Sequence, residues 1–421
     1  MKNNYSSFIQ QEDMQNNLKR ITSRKEITKG GIPLCYDDEN LYIDESFGHN
    51  LVIGATGSGK TQSVTLPKVF TSLIAGENLF VDDPKGEIYN LLKDELETNG
   101  YKAFKIDFQN FNGNKWNPLE LAWKLYKEQN IDDAVMILEK TAYYIFTNYD
   151  NNNNDPFWIN CVKQLFTGTA LYIMEKENVL PTIHEISNYA EKITIDDFNN
   201  LNQESPAKVF LRIIMTAPKD TKGSIYAVFN SSIMNYSYSN KINTILEKND
   251  FDLENLLEDK VALFIIDGHK KANITNLMAL FIEELQYICD KKNNQRKINI
   301  VLDDFNDYVA LENLGQLLSN ARSNYMEYTI LINSLHKLSE IYGETALEHI
   351  ISYFDRIIYL YSKDEYTTEY ISKLCGNKND KERLISSTEL KLLKIFEVVI
   401  LKNRMLPFKT KLLPFYQYRN K

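Results

Sequence analysis

The chain has 421 residues, 43% of them hydrophobic and 25% charged, the balance of a folded protein of roughly two or three domains. Its 48 Lys and Arg face 57 Asp and Glu, a net charge of −9, which excludes a uniformly basic nucleic-acid module and confines any phosphate-binding surface to a local patch. No apolar run approaches the roughly 18 residues needed to cross a bilayer, and "MKNNYSSFIQQEDMQNN" lacks the apolar core of a signal peptide.

Four separate cysteines (Cys35, Cys161, Cys289, Cys375) with no paired spacing predict reduced thiols in a cytosolic protein and no structural zinc. Disorder is expected only at the ends and in the Asn run "YDNNNNDPF" at 149–157.

Residues 1–45 read as a polar lead ending in a short strand, "LYIDES". "HNLVIGA" is then an apolar strand entering a Gly-rich turn, and "GKTQSVTLPKVFTSLIAG" a helix ended by Gly76. "NLFVDD" is a second strand, "GEIYNLLKDELETNG" a helix closed by Gly100, and "YKAFKIDF" a third strand. This alternation over 46–120 predicts an α/β domain with a largely parallel sheet. From 121 to 255 the spacing is helical and no strand is convincing. Alternation returns over 256–421: "KVALFIID", helix "NITNLMALFIEELQYICD", "INIVLDD", helix "YVALENLGQLLSNARS", "YTILINS", "DRIIYLYS", "FEVVILKN" and "LPFKTKLLPF". The expectation is one α/β domain interrupted by an all-helical insertion.

"GATGSGKT", Gly54 to Thr61, fits G-x-x-x-x-G-K-[ST] with a strand before it and a helix after it. Gly54, Ala55, Thr56, Gly57, Ser58 and Gly59 would turn backbone N–H groups towards phosphate oxygens. Lys60 would reach the β- and γ-phosphates, Thr61 would hold Mg²⁺ through its hydroxyl, and Gln62 would continue the lining. A rival signal, "NKND" at 377–380, matches a guanine-reading box but comes after a helix instead of a strand. The expected ligand is therefore ATP with Mg²⁺.

"NIVLDDF" runs a strand into Asp303 and Asp304. Asp303 is the candidate Mg²⁺ holder and Asp304 the candidate base. A glutamate is usual at the second place, and the shorter arm displaces the carboxylate by roughly 1 Å, which can cost on the order of 10²-fold in rate unless the backbone adjusts. In "DDPKGE", Glu87 is a spare candidate base; the alternative is a structural role for the segment, with Asp83 capping the next helix.

The motifs "GATGSGKT", "VDDPKGEIYNLL", "WNPL", "DPFWINCVKQLFTGTALYI", "LDDF" and "LINSLHKLSEIYG", in this order from about 50 to 415, resemble the type IV coupling proteins, the TraG/TraD-like ATPases of conjugative DNA transfer. The resemblance implies a RecA-like P-loop NTPase domain with an inserted all-α domain, assembled as a hexameric ring that moves DNA towards a secretion channel. It implies DNA, a relaxase and membrane channel components as partners. On the strand after the carboxylate pair the family places a polar γ-phosphate sensor, usually Gln; Asn333 stands there, and the alternative for it is a satisfied buried amide with no such role. An arginine before that strand is thought to reach a neighbouring subunit's nucleotide, and Arg322 matches; the alternative for Arg322 is a solvated helix end. "WNPL" is expected to pack and turn, with Trp116 in the core. The family's two membrane helices are not found, so a cytoplasmic member recruited to the membrane by a partner is expected.

The basic clusters, Lys270–Lys271, "KKNNQRK" at 291–297, "LKNR" and "FKTK", are modest, and each is more often a solvated face. DNA binding is implied by the resemblance and not by the charge pattern. Two rivals stay open: another FtsK/HerA-like DNA motor, and a nucleotide-gated adaptor with little turnover, which the shortened Asp304 and Asn333 would suit.

Overall fold

The apolar strand "HNLVIG" becomes β4 (His49–Gly54), buried along its whole length, with neighbours on both sides in a computed structural model of the chain. The structure describes residues 5–37, 40–150, 156–254, 257–268, 272–292, 296–308, 310, 311 and 314–418. Residues 151–155 of the Asn run, and Lys270 and Lys271, lie outside these. Two compact units are present: residues 1–104, 254–264 and 292–421 form the first, and residues 105–253 and 265–291 the second. Among the described residues no helix is long and apolar enough to cross a membrane.

In chain order the strands are β1 (Lys19–Ile21), β2 (Ile32–Tyr36), β3 (Leu41–Asp44), β4, β5 (Asn78–Asp82), β6 (Lys102–Asp107), β7 (Asn112–Gly113), β8 (Val261–Ile266), β9 (Ile298–Leu302), β10 (Met326–Ile332), β11 (Phe354–Tyr361), β12 (Glu397–Lys402) and β13 (Phe408–Lys411). The first three make a small antiparallel sheet from the lead segment, where the sequence suggested only one strand. Among the described residues the others form one sheet ordered β13-β12-β11-β4-β10-β9-β5-β8-β6-β7. Its centre, β11-β4-β10-β9-β5, is parallel, and β12 and β13 turn back antiparallel. A continuous apolar run such as "VALFII" suits a strand covered on both faces.

Parallel connection aligns the carboxyl ends of β4, β9 and β10 at one end of the sheet. Because β10 lies between β4 and β9, the segment leaving β10 stands between the segments leaving the other two strands, with each strand spaced about 4.8 Å from the next. At the opposite end lies a buried ion network. Lys68, from the helix Leu66–Ile74 that continues from the phosphate loop, pairs with Glu327 at the start of β10, and Lys297 reaches Glu327 at 3.1 Å and Glu77 at 3.6 Å. Burial alone would raise the Glu327 carboxyl, but Lys68, Lys297 and Arg356 outweigh it and hold it at about 2. Removing one partner of such a set leaves a buried uncompensated charge and costs about 3–5 kcal/mol. Asp44 likewise ties the lead sheet to the main one through Arg356 at 2.9 Å and Lys402 at 2.8 Å. Lys297, read from sequence as part of a solvated basic cluster, is buried here.

A second difference concerns the helix expected from Tyr308. Among the described residues the helix found here is Leu314–Ala321. Tyr308 is extended, its hydroxyl donating to Asp82 Oδ2 at 2.9 Å, and the Leu311 N–H donates to the Tyr342 hydroxyl at 2.9 Å. The apolar spacing there serves these tertiary contacts instead of a helix face.

Among its described residues between 120 and 250 the second unit is helical, with the long helices Ile131–Asp150, Pro156–Lys176 and Lys219–Ser237. Phe146, Phe166 and Phe229 meet in its core. Capping boxes at Thr182/Glu185 and Thr194/Asp197 start two of its short helices. The "WNPL" segment is structural: Trp116 is 1% exposed, lies against Phe281, and donates through Nε1 to Glu284 Oε2 at 3.1 Å. Asn117 donates to the carbonyls of Pro181 and Glu247.

Candidate nucleotide site

The cleft at the carboxyl end of the parallel strands belongs wholly to the first unit. It is about 330 Å³ and is lined by Ala55–Gln62, Asp83, Pro84, Lys85, Glu87, Ile88, Asp303, Asp304, Ile395 and Phe396. The phosphate loop leaves β4 at Gly54, and the Ala55 N–H donates to Tyr361 O at 2.8 Å. Gly57 (φ +82°) and Gly59 (φ +94°) take backbone conformations that side chains resist. A π-helical turn, Thr61–Thr65, then opens the helix that continues as Leu66–Ile74. Such turns are often found at functional sites.

Lys60 is 7% exposed. Its ammonium donates to Gly54 O and, at 2.8 Å, to Asn333 Oδ1. Asn333 Nδ2 in turn donates to Asp304 Oδ1 at 3.4 Å. The sensor position, the loop lysine and the candidate base are thus joined through one amide. Asp304 itself has φ 45° and ψ 43°, the left-handed region that Asp visits more readily than most side chains, and its N–H donates to Asp303 Oδ1 at 2.8 Å.

Sequence reading missed Asn306. It is 7% exposed, its Oδ1 accepts from Asn333 N at 2.6 Å and Ser334 N at 3.2 Å, and its Nδ2 donates to Ser334 O at 2.9 Å. This side chain fixes the backbone that carries Asn333. Ser334 Oγ donates to Asp364 Oδ2 at 2.8 Å, and Asp364 caps the helix Glu365–Cys375.

Asp83 is buried and accepts at 2.8 Å from Tyr89 N, in the first turn of the helix Glu87–Thr98, whose N-cap residue is Gly86. Burial pushes its carboxyl up to about 6, and the nearby charges of Glu87 and Asp303 add to the rise. Glu87 is exposed on the cleft rim.

Arg322 does not line this cleft. It is exposed beyond the helix Leu314–Ala321, at the amino end of β10, its guanidinium 5.9 Å from the centre of the Phe47 ring. Asn333 succeeds the other end of the same seven-residue strand, about 20 Å away at the usual rise. The "NKND" loop is closed by Gly376 and an Asn377–Arg383 bridge, and none of its residues lines the cleft.

The donor set fits a magnesium-bound triphosphate. Ser58 Oγ and Gln62 Oε1 are buried without hydrogen-bond partners among the described residues, and both belong to the cleft. Among the described residues no group of three or more His, Cys, Asp or Glu could hold a metal unaided. Thr61 and Asp303 would therefore need phosphate oxygens and water to complete an octahedral Mg²⁺ shell, the usual arrangement for this ion.

The family described as "Type IV secretory system Conjugative DNA transfer" matches residues 4–405. Protein VirD4 of Agrobacterium fabrum (strain C58) is 22% identical over 360 residues, covering 82% of this chain and 52% of that protein. Its counterpart from Rhizobium rhizogenes is equally similar, with 51% of its length covered, so the chain spans about half the length of the curated relatives it matches. The plasmid coupling protein TrwB, solved in complex with ADP and Mg²⁺, has the same fold: TM-score 0.68 at 16% identity, over 97% of this chain and 93% of that one. VirB4 of Thermoanaerobacter pseudethanolicus superposes with a TM-score of 0.58 at 12% identity, over 91% and 96% of the two chains.

Proposed function

The chain belongs to the conjugative DNA-transfer family of type IV secretory systems, and on that premise we propose that it is an ATPase that drives DNA from a relaxase complex towards a secretion channel. The observation that carries this reading is the hydrogen-bonded line Lys60–Asn333–Asp304, whose two ends line the cleft together with Thr61 and Asp303, while Asn333 joins them from behind the lining. TrwB, which shares the fold, has been solved with ADP and Mg²⁺ and with the non-hydrolysable analogue ADPNP.

In this reading the loop amides and Lys60 hold the β- and γ-phosphates. Thr61 and Asp303 would hold Mg²⁺, whose chemistry there would be to offset phosphate charge. Asp304 orients the attacking water and accepts its proton. Asn333 keeps Asp304 and Lys60 in register, so its amide senses whether a γ-phosphate is in place. Glu87, on the rim and outside the Lys60–Asn333–Asp304 line, is the weaker candidate for base. Arg322, at the far end of β10 from its own cleft, serves a neighbouring copy in a ring, where its planar fork offsets charge on the transferring phosphoryl group. The helical segment 121–255 receives the DNA–relaxase substrate, and a partner recruits the ring to the inner face of the membrane.

Turnover measured with and without single- and double-stranded DNA separates a motor from a nucleotide-gated adaptor. A motor shows DNA-stimulated hydrolysis that Lys60→Ala removes. An adaptor shows negligible turnover that rises sharply on Asp304→Glu, and that outcome would overturn the proposal.

A further inference from the structure

The apolar wall of the cleft is a strained turn. β12 runs antiparallel to β11, so the segment entering β12 lies at the same end of the sheet as the phosphate loop. There the Glu397 N–H donates to Lys394 O at 2.9 Å, and the Lys394 N–H donates to Glu397 Oε2 at 2.9 Å. These bonds close a four-residue turn around Ile395 and Phe396. Phe396 takes φ +69° at the place in the turn where glycine is the usual occupant, and for a bulky residue that conformation carries a backbone cost. The Leu412 N–H donates to Phe396 O at 2.8 Å and pins it there. A Cβ built on Gly59 would lie 2.7 Å from Phe396 Cε1, so the ring fills the space that glycine leaves. Ile395 beside it is 58% exposed, an apolar side chain held out at the mouth of a polar cleft.

Strand order gives this wall a direction. Across the sheet the strands lie in the order β9, β10, β4, β11, β12. Asp303 and Asp304 come directly after β9, Asn333 after β10 and the phosphate loop after β4. A nucleotide whose terminal phosphate faces the β9 and β10 side, with its other phosphates in the loop, extends its base towards β11 and β12. We infer that Ile395 and Phe396 form the base wall of the cleft: a purine ring lies face-on against Ile395, and Phe396 backs the phosphate loop beneath it. The inference rests on the reading of the cleft as a Mg-ATP site. Apolar side chains hold the ring by dispersion and by excluding water, not by reading its edge.

Calorimetric titration of the full chain with Mg-ATP and, separately, with Mg-tripolyphosphate tests this, because the second ligand has phosphates and no base. Ile395→Ser is expected to weaken Mg-ATP binding about tenfold, from the apolar area uncovered, and to leave tripolyphosphate affinity within about twofold. Ile395→Trp is expected to tighten Mg-ATP alone. Position 395 is exposed, so neither change disturbs the core. Unchanged Mg-ATP affinity in Ile395→Ser, or equal weakening of both ligands, overturns the wall. A wild-type chain that binds the two ligands equally, through Lys60, also overturns the wall while leaving the phosphate site standing. A chain that binds neither removes the site and the wall together.

Discussion

Asn333 Nδ2 stands 3.4 Å from Asp304 Oδ1, while its Oδ1 accepts from Lys60 Nζ at 2.8 Å. The family resemblance implies a residue one methylene longer at each of these two places, and in the fold Asp304 and Asn333 touch. Asp304 has a left-handed backbone, and we propose that this re-aims its carboxylate towards the short amide, so that the two shortenings act as a matched pair.

Matched shortening makes the two positions non-additive. Asp304→Glu or Asn333→Gln alone is expected to lower ATP turnover about tenfold by displacing the water-orienting carboxylate. The double substitution is expected to recover to within about threefold of wild type, a coupling above 1 kcal/mol. Steady-state turnover of the four proteins decides it, and losses that simply multiply would show the pair to be independent.

Asn306 holds the backbone of Asn333, the proposed sensor, so its loss should separate rate from binding. Asn306→Ala is expected to cut kcat by about 10- to 100-fold with KM for ATP little changed, and to destabilise the fold by about 1–2 kcal/mol. A kcat within twofold of wild type would assign Asn306 to structure alone.

Asp83 supplies a pH dependence whose sign can be stated. Its folded-state value of about 6 lies above the roughly 3.9 of an unfolded chain. The fold therefore favours the protonated acid, and the stability this group contributes is full below pH about 4 and is lost as pH rises through about 6. Asp83→Asn keeps an acceptor for the Tyr89 N–H and removes the titration. Denaturant unfolding from pH 4 to 7.5 should show wild type losing about 2–3 kcal/mol relative to this variant; parallel curves would contradict the assignment.

Arg322 is expected to work across copies. Arg322→Ala and Lys60→Ala should each lower turnover by at least about 10²-fold. Mixed together they should regain a measurable share of wild-type activity, since some interfaces then join an intact Lys60 to an intact Arg322. Mixtures no more active than either variant would place Arg322 outside catalysis.

The strand–turn–helix setting of the candidate phosphate loop and its place in the cleft were legible because the loop is one contiguous segment with a strand before it and a helix after it. Asp303 and Asp304 were legible for a related reason, since an apolar run ending in paired acids is a local pattern. Asn306 was not, because its task is set by two amides 27 and 28 residues away. Ile395 and Phe396 were hidden too: only the antiparallel return of β12 brings their turn to the cleft. The charged run at 291–297 looked solvated, yet Lys297 is drawn inside by Glu77 and Glu327. β2 escaped notice as a short strand containing Pro33, and Tyr308 and Leu311 mimicked helical spacing while serving Asp82 and Tyr342. Sequence patterns reported what neighbours along the chain do and were silent where distant segments decide.

Binding of Mg-ATP by wild type and Lys60→Ala, measured by calorimetry on the purified full chain, tests the central claim most directly. Micromolar binding that requires Mg²⁺ and falls by at least about 10²-fold on Lys60→Ala is the result the account predicts. Absence of Mg-ATP binding in wild type, or binding that Lys60→Ala leaves intact, would contradict it.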